Sequence, residues 1–294
     1  MQLGRLARPA AYIALAVLTI YGVWVFLSGD SESVLTFWEA QLTLLPILLL
    51  IACIDIGFEL TSWMWVYSRF GIRAWNRDGF LSCLATRAGL LLPVQLNRLI
   101  RPDSMAKLGR GTYRECLMAE GATFVLDATS ALALIVGMLA FLVHPVIAIP
   151  AAFVVTIIVL SMGAKVANLL SGTKLKQPPG FWLSWQTFMI VALQMGGWIA
   201  YGVGLWLIVG KLPPDIPLSE TILYATVSSV VGAGTGIPGG LGATEGLLGI
   251  SLRLMSVPQE HLFVAVGSFR LLTFWIWIPV GWLALTLVNR RGAK

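Results

Sequence analysis

The residues of this chain that could do chemistry are charged side chains set within or beside apolar stretches. They are Asp55, Glu59, Arg87, Glu120, Asp127, Glu245 and Arg270. A charge at the centre of a bilayer costs at least about 3 kcal/mol, so these side chains are expected to face one another or water. No Ser/His/Asp, Cys/His or metal-ligand pattern accompanies them. Such a set suits the binding of an ionic group, and we expect a protein that is not an enzyme and uses no cofactor or metal.

Some of these positions allow more than one role. Asp55 and Glu59 are four residues apart and share one helix face, which favours a structural or interfacial place for both. For Glu120, the alternative to a role in the site is a place near the cytoplasmic surface. For Glu245 and Arg270, a fixed structural pair and a functional pair are equally open. We expect tryptophans near the ends of apolar stretches to be interfacial anchors: Trp63, Trp65, Trp182, Trp185, Trp275 and Trp277.

A glycine-rich run, GIPGGLGATE, extends from Gly236 to Glu245 inside an apolar stretch. Glycine costs about 1 kcal/mol in a helix interior and proline about 3, so a helix is not expected to continue through it. Broken backbone at membrane depth is tolerated only where it is buried in protein or lines a wet cavity. The run is therefore typical of a transport or binding site.

The composition places these residues in a membrane protein. Of 294 residues, 57% are hydrophobic and 12% are charged, against roughly 25% charged residues in a soluble domain. Apolar runs of about 20 residues predict an all-α polytopic membrane protein. The three cysteines form no CxxC pair, and the net charge of +6 lies in loops without a soluble domain, so neither a zinc site nor nucleic-acid binding is indicated.

Six full spans and two broken apolar stretches organise the chain. The spans are predicted at about 10–28, 40–67, 113–143, 145–169, 182–210 and 262–289. The broken stretches are 79–100 and 221–254. We expect the first span to be retained rather than cleaved as a signal peptide.

Most Lys and Arg residues lie at the two termini, in 69–114 and around Lys165, which places those regions in the cytoplasm. Both broken stretches then become re-entrant hairpins, the first entering from the cytoplasm and the second from outside. A pair of full spans at 221–236 and 243–256 would give the same loop sidedness.

Two motifs recur at nearly one displacement. Ala88-Gly89-x-x-Leu92-Pro93 reappears 145 residues later as Ala233-Gly234-x-x-Ile237-Pro238. Val136-Gly137-x-Leu139-Ala140 reappears 144 residues later as Val280-Gly281-x-Leu283-Ala284. We therefore predict two repeats, 1–144 with a cytoplasmic hairpin at 79–110 and 145–294 with an external hairpin at 221–254. Three crossings in each half make the repeats inverted, as in many secondary transporters.

The motifs also carry a resemblance to a known family. Pro238-Gly-Gly-Leu-Gly242 with Glu245, followed by Ser268-Phe-Arg270-Leu-Leu-Thr273, resembles the signature of the lysylphosphatidylglycerol synthase/flippase transmembrane family. Leu92-Pro93, Arg101 and Asp127 resemble its pattern in the first half. The resemblance implies a membrane module that moves a lipid between leaflets.

The chain departs from the family pattern at four positions. Asn97 and Arg98 stand where a glycine and an acid are typical, and Thr123 and Phe124 where a Glu-Arg pair is common. The first hairpin is thus more cationic than the pattern, which favours an anionic headgroup over a cationic aminoacyl lipid.

The leading hypothesis is a flippase that moves an anionic phospholipid or a polyprenyl-phosphate-linked lipid. The alternative is an accessory membrane subunit of a glycosyltransferase or lipid synthase that moves nothing itself. The predicted partners are a membrane lipid and such a synthase or glycosyltransferase, with a homodimer left open. We place the protein in the inner (plasma) membrane with both termini cytoplasmic. The predicted substrate-binding residues are Arg87, Pro93, Asn97, Arg98, Arg101, Asp127, Pro238, Gly239, Gly240, Gly242, Glu245 and Arg270.

Overall fold

The computed structural model describes residues 31–169, 177–211 and 215–292, and within these ranges the chain is helical without any strand. The helices are α1 (Ser31–Ala40), α2 (Leu45–Arg69), α3 (Arg77–Ala85), α4 (Ile100–Lys107), α5 (Tyr113–Val143), α6 (Pro145–Leu169), α7 (Trp185–Val209), α8 (Leu218–Gly234), α9 (Ala243–Leu254), α10 (Gln259–Arg270) and α11 (Trp277–Gly292).

Five of the described helical segments are long and apolar enough to cross a membrane. They are Leu42–Arg69, Tyr113–Val143, Pro145–Ala167, Trp185–Val209 and His261–Gly292. This confirms an all-α polytopic membrane protein and matches five of the six predicted spans. The other, 10–28, lies outside the described residues. The last span joins α10 to α11 through a π-helical turn, Leu271–Trp275, a kind of interruption that is frequent at functional sites.

The first broken stretch is the first hairpin, residues 77–107, in which α3 and α4 are the two limbs. The Asn76 side chain caps α3 by accepting hydrogen bonds from the backbone N–H groups of Asp78 and Gly79. Asp78 also accepts hydrogen bonds from Arg110, just beyond α4, and from Arg291, in the last turn of α11. The hairpin therefore begins and ends at the same end of the helix bundle.

The Asp78 carboxyl is shaped by these contacts. Burial raises its pKa, but hydrogen bonds and charge from Arg110 and Arg291 outweigh that effect and hold the pKa below its ordinary value. Asp78 is thus a clamp between the two limbs of the first hairpin and the end of the chain's last helix.

The second broken stretch is the second hairpin, residues 218–254, with α8 and α9 as its limbs. Ile216, before α8, and Leu252, in the last turn of α9, pack in one apolar cluster with Leu48 near the start of α2. The first hairpin instead adjoins Tyr67 at the other end of α2, through Ile72 and its neighbours. The two hairpins therefore enter the bundle from opposite ends.

The length of α9 bears on how the second hairpin lies. Its 12 residues extend about 18 Å, whereas the hydrocarbon core is about 30 Å thick. Neither limb is among the segments that are long and apolar enough to cross. These lengths favour a hairpin over the rival pair of full spans.

The two breaks share one backbone path. Leu92 (φ −73°, ψ 140°) and Ile237 (φ −68°, ψ 139°) precede the prolines that open each break. The residue after each proline is left-handed: Val94 has φ 52° and Gly239 has φ 62°. Gln95 and Gly240 follow, also at positive φ. The repeated motif thus has a repeated conformation, although the division into two inverted repeats stays a prediction.

Small residues allow close packing of α11 on the first hairpin and of α5 on α6. A Cβ at Gly281 would overlap the backbone of Arg87 and Ala88, so α11 rests directly on the first hairpin. A Cβ at Gly137 would lie 3.1 Å from Ala152 Cβ, where α5 packs on α6. Both glycines belong to the second repeated motif, and in both copies the glycine permits close backbone packing.

The predicted anchoring role of Trp63 is wrong. The side chain is fully buried in a cluster with Tyr67 and Met105, and Trp182 is also buried, beneath Gly163 of α6. The first hairpin covers Trp63, and Trp182 packs against Leu126 of α5 and Leu160 of α6, so both rings pack within the protein instead of at the membrane surface.

Candidate functional site

A cavity of about 580 Å³ lies between the two breaks. Val94 and Ile237 line it from the two breaks, and α2, α5, α7 and the π-helical turn form its walls. The volume is within the range of ligand pockets, about 300 to 1,000 Å³. Two opposed hairpins and a kinked last span thus meet around one space.

The wall on the side of the first hairpin is an ion-pair cluster centred on Arg101. Its Nη1 lies 3.1 Å from both carboxylate oxygens of Glu120, and its Nη2 lies 3.1 Å from Oε1 of Glu59. Tyr67 donates a hydrogen bond of 3.0 Å to Glu120, and the guanidinium carbon lies 5.0 Å from the Trp63 ring centroid. With only 2% of Arg101 exposed, this cluster joins the hairpin to α2 and α5.

Two further arginines of the first hairpin face the cavity more openly. Arg87 pairs with Glu59, and Arg98 pairs with Asp127 of α5. Arg98 also donates a 2.7 Å hydrogen bond to Gln95 and lies over the ring of Phe124, 5.1 Å from its centroid. The departure from the family pattern at 124 therefore supplies a cation–π partner for the departure at 98.

The wall on the side of the second hairpin depends on Arg270. Its Nε donates a 2.6 Å hydrogen bond to Glu245, and its Nη2 donates one of 2.9 Å to the Gly239 carbonyl. Glu245 in turn accepts a 2.8 Å hydrogen bond from the backbone N–H of Gly242, at the start of α9. The last span thereby holds the glycine-rich break in place through Phe274 packing and this network.

Two glycines of that break need their lack of a side chain. A Cβ at Gly239 would lie 2.7 Å from Phe274, and one at Gly240 would lie 2.6 Å from Thr244 Oγ1 and 3.2 Å from the Gly232 backbone. Both residues also have positive φ, which L side chains rarely adopt. Val94 and Gln95 follow the same path in the first break, so it is the close neighbours of Gly239 and Gly240 that favour glycine at these two positions.

The structure brings seven of the twelve predicted site residues to the cavity. They are Arg87, Asn97, Arg98, Arg101, Asp127, Gly239 and Arg270. The other five do not line it. They form the turns of the breaks or hold these turns through hydrogen bonds and an ion pair: Pro93, Pro238, Gly240, Gly242 and Glu245.

The structure decides the places of three acids for which the sequence left more than one role open. Glu120 is 3% exposed and belongs to the Arg101 cluster, so its side chain is buried and paired with the first hairpin. Asp55 lines the cavity, as does Glu59, so neither is an interfacial group. Their four-residue spacing predicted a shared face, but only the packed hairpin shows that this face looks into the cavity.

Sequence reasoning also missed Gln95, Phe124 and Tyr67, each of which contacts a charged member of the site. Phe124 was detectable as a departure from the family pattern beside a predicted site helix. Nothing in the residue types around Gln95 and Tyr67 distinguishes them from ordinary packing residues.

Comparison with known proteins agrees with this architecture. The family model described as the lysylphosphatidylglycerol synthase TM region matches residues 11–281. A search of curated proteins found no match. The matched region includes both hairpins, the cavity and Arg270. The chain therefore belongs to the family of the lysylphosphatidylglycerol synthase transmembrane region.

Proposed function

We propose that this protein is a lipid flippase that moves a lipid with an anionic headgroup between the leaflets of the inner membrane. The lipid is a phospholipid or a polyprenyl-phosphate-linked carrier, and the protein acts as a transporter without chemical conversion of the lipid. Membership of the family supports a membrane lipid-related role. The observation that carries the anionic headgroup is a set of unused guanidinium donors in the cavity.

Each arginine that lines the cavity has an acidic partner, yet the partners do not use all of its donors. A guanidinium has five N–H donors. Among the described residues, Nε and Nη1 of Arg87 and Nη1 of Arg270 have no hydrogen-bond partner. Nη1 of Arg98 makes no hydrogen bond to these residues either, although Glu120 Oε1 lies 3.9 Å from it, at ion-pair distance. A phosphate could therefore be bound while the ion pairs stay intact, and charge-assisted bonds to phosphate are the stronger kind.

The opposed hairpins give a route for the headgroup. Because the first hairpin enters from one end of the bundle and the second from the other, the two breaks meet between these ends. A headgroup at that point would be farthest from the water on either side of the membrane. The cavity has room for a headgroup, and the acyl or prenyl chains would stay in the lipid outside the bundle.

The test uses purified protein in vesicles with fluorescent anionic, zwitterionic and cationic lipids. Losing one hydrogen bond to a charged group costs about 1.5 to 3 kcal/mol, so Arg98→Gln should weaken binding of the anionic lipid at least about tenfold. Arg98→Glu should weaken it further through repulsion. Arg114→Gln, which removes an exposed arginine outside the cavity, is the matched control.

Arg98→Gln also leaves Asp127 without its ion-pair partner, so a second variant separates the two effects. The double variant Arg98→Gln/Asp127→Asn restores the charge balance of the cavity. If Arg98 binds the headgroup, the double variant stays defective. Recovery of wild-type binding in the double variant, or a wild-type preference for the cationic lipid, would refute the anionic headgroup. Lack of movement of every lipid by wild type would favour the accessory-subunit alternative.

A further inference from the structure

Asp55 is a carboxylate in the cavity that lacks a paired counter-ion. It lies on α2, about 15 Å along the helix from Leu45, so it is near the middle of a span. Within the described ranges, no side chain or backbone group makes a hydrogen bond to it and no cationic group lies within ion-pair distance. The α7 backbone approaches it at Gly197, where a Cβ would lie 3.1 Å from Oδ1.

The surroundings of Asp55 hold both signs of charge. The charged or titratable groups that face it are Glu59 on its own helix, Arg87 on the first hairpin, Asp127 on α5, Tyr201 on α7 and Arg270 on α10. The two arginines among them are bonded to other acids, Arg87 to Glu59 and Arg270 to Glu245. Asp55 thus lies near two arginines that are already ion-paired with other acids.

A count of the charged side chains around the cavity shows how the protonation of Asp55 sets their net charge. Four arginines are matched by four acids that they contact: Glu59, Glu120, Asp127 and Glu245. Asp55 is a fifth acid, so an ionised Asp55 gives this set one excess negative charge and a neutral Asp55 gives none. An uncompensated charge at this depth costs at least about 3 kcal/mol, and binding a proton removes that cost.

We propose that Asp55 is a proton-binding site whose protonation admits the anionic headgroup to the cavity, so that the two are transported together. The site stands on the geometry alone, whereas the coupling rests on the proposed function. Because linkage is reciprocal, a proton that favours the headgroup is itself bound more tightly when the headgroup is present.

The geometry also gives a way for the proton to change the pairing of Arg87 on the first hairpin. Asp55 and Glu59 are one helical turn apart on the same face, and Arg87 bonds to Glu59 through Nη2 while its Nε and Nη1 have no hydrogen-bond partner in the described part of the chain. Loss of the proton from Asp55 creates a second acid that attracts Arg87. Arg87 then shifts its guanidinium toward Asp55, so the proton decides how Arg87 is shared between the two acids.

The first experiment measures the proton without any transported lipid. The infrared band of protonated carboxyl groups is recorded in nanodiscs across about pH 5 to 9, where desolvated carboxyl groups in proteins titrate. Wild type should show a titrating band that Asp55→Asn lacks. Asp215→Asn, which removes an exposed loop carboxylate, should keep it. Identical titrations of wild type and Asp55→Asn would overturn the proton site.

The second experiment measures coupling in vesicles with an imposed pH gradient and a fluorescent anionic lipid. With one proton per headgroup, a gradient of one pH unit should shift the distribution of the lipid between leaflets about tenfold in wild type, and this shift should vanish in Asp55→Asn. Wild-type lipid movement that ignores the gradient would refute the coupling and leave the flippase intact. A titrating band in a protein that moves no lipid would support the proton site and refute the flippase.

Discussion

The buried ion pair between Arg101 and Glu120 gives the sharpest test of how the first hairpin is held. Glu120→Gln keeps the size of the side chain and removes its charge. Breaking a buried pair by changing one partner costs about 3 to 5 kcal/mol. Glu59 still contacts Arg101 at 3.1 Å, so we expect the lower end, about 3 kcal/mol.

For a chain of this size, 1 kcal/mol corresponds to roughly 2 to 4 °C in Tm, so Glu120→Gln should lower Tm by about 6 to 12 °C. Unfolding is followed by tryptophan fluorescence in one detergent at one scan rate, because membrane proteins often unfold irreversibly. The control is Asp103→Asn, which breaks a more exposed i,i+4 pair with Lys107 worth about 0.3 to 0.5 kcal/mol. Equal shifts in the two variants would show that the Arg101 cluster does not fasten the hairpin.

Three further outcomes follow from features of the hairpins. Gly240→Val should abolish lipid movement, because its Cβ would meet Thr244. Gly246→Val, whose Cβ would have open space, should have a mild effect on lipid movement. Vesicle assays of well-inserted protein decide this. Because the pKa of Asp78 is depressed in the folded state, its contribution to stability is complete at neutral pH. That contribution is lost as the pH falls below about 4 and passes through the folded-state pKa. Melting curves of Asp78→Asn and wild type should therefore converge in acid. In a cysteine-free background, cysteines at Leu96 and Leu241 should react with an aqueous thiol reagent from opposite faces, and labelling of both from one face only would contradict opposed hairpins.

The sequence predicted the spans and the breaks because both depend on local composition. Apolar runs of membrane length specify spans, and the glycines and prolines after Leu92 and Ile237 specify where helices stop. The left-handed conformation of Val94 was not visible from its residue type, since β-branched residues avoid positive φ. It could have been predicted from the repeat, because a displacement of 145 aligns Val94 with Gly239.

The sequence could not predict which charged residues pair with each other. Arg101 contacts Glu59 and Glu120, which lie on helices before and after the hairpin, and only the docking of the hairpin brings them together. Proximity to a loop suggested a place near the cytoplasmic surface for Glu120, and nothing in the sequence indicated that the first hairpin packs on α5 and covers its side chain. The prediction for Trp63 was wrong for the same reason. A tryptophan near the end of an apolar stretch is expected at the membrane interface, but tertiary packing buries this one.

The Asp78 clamp has a consequence for biosynthesis. Its partner Arg291 follows it by 213 residues, and Gly281 must also arrive before α11 can close on the backbone of Arg87. The first hairpin is therefore made well before α11 and can be fastened to it only after α11 has been made. Until then its arginines depend on α2 and α5 for counter-ions, so the acids of those two helices protect a nascent chain as well as a finished protein.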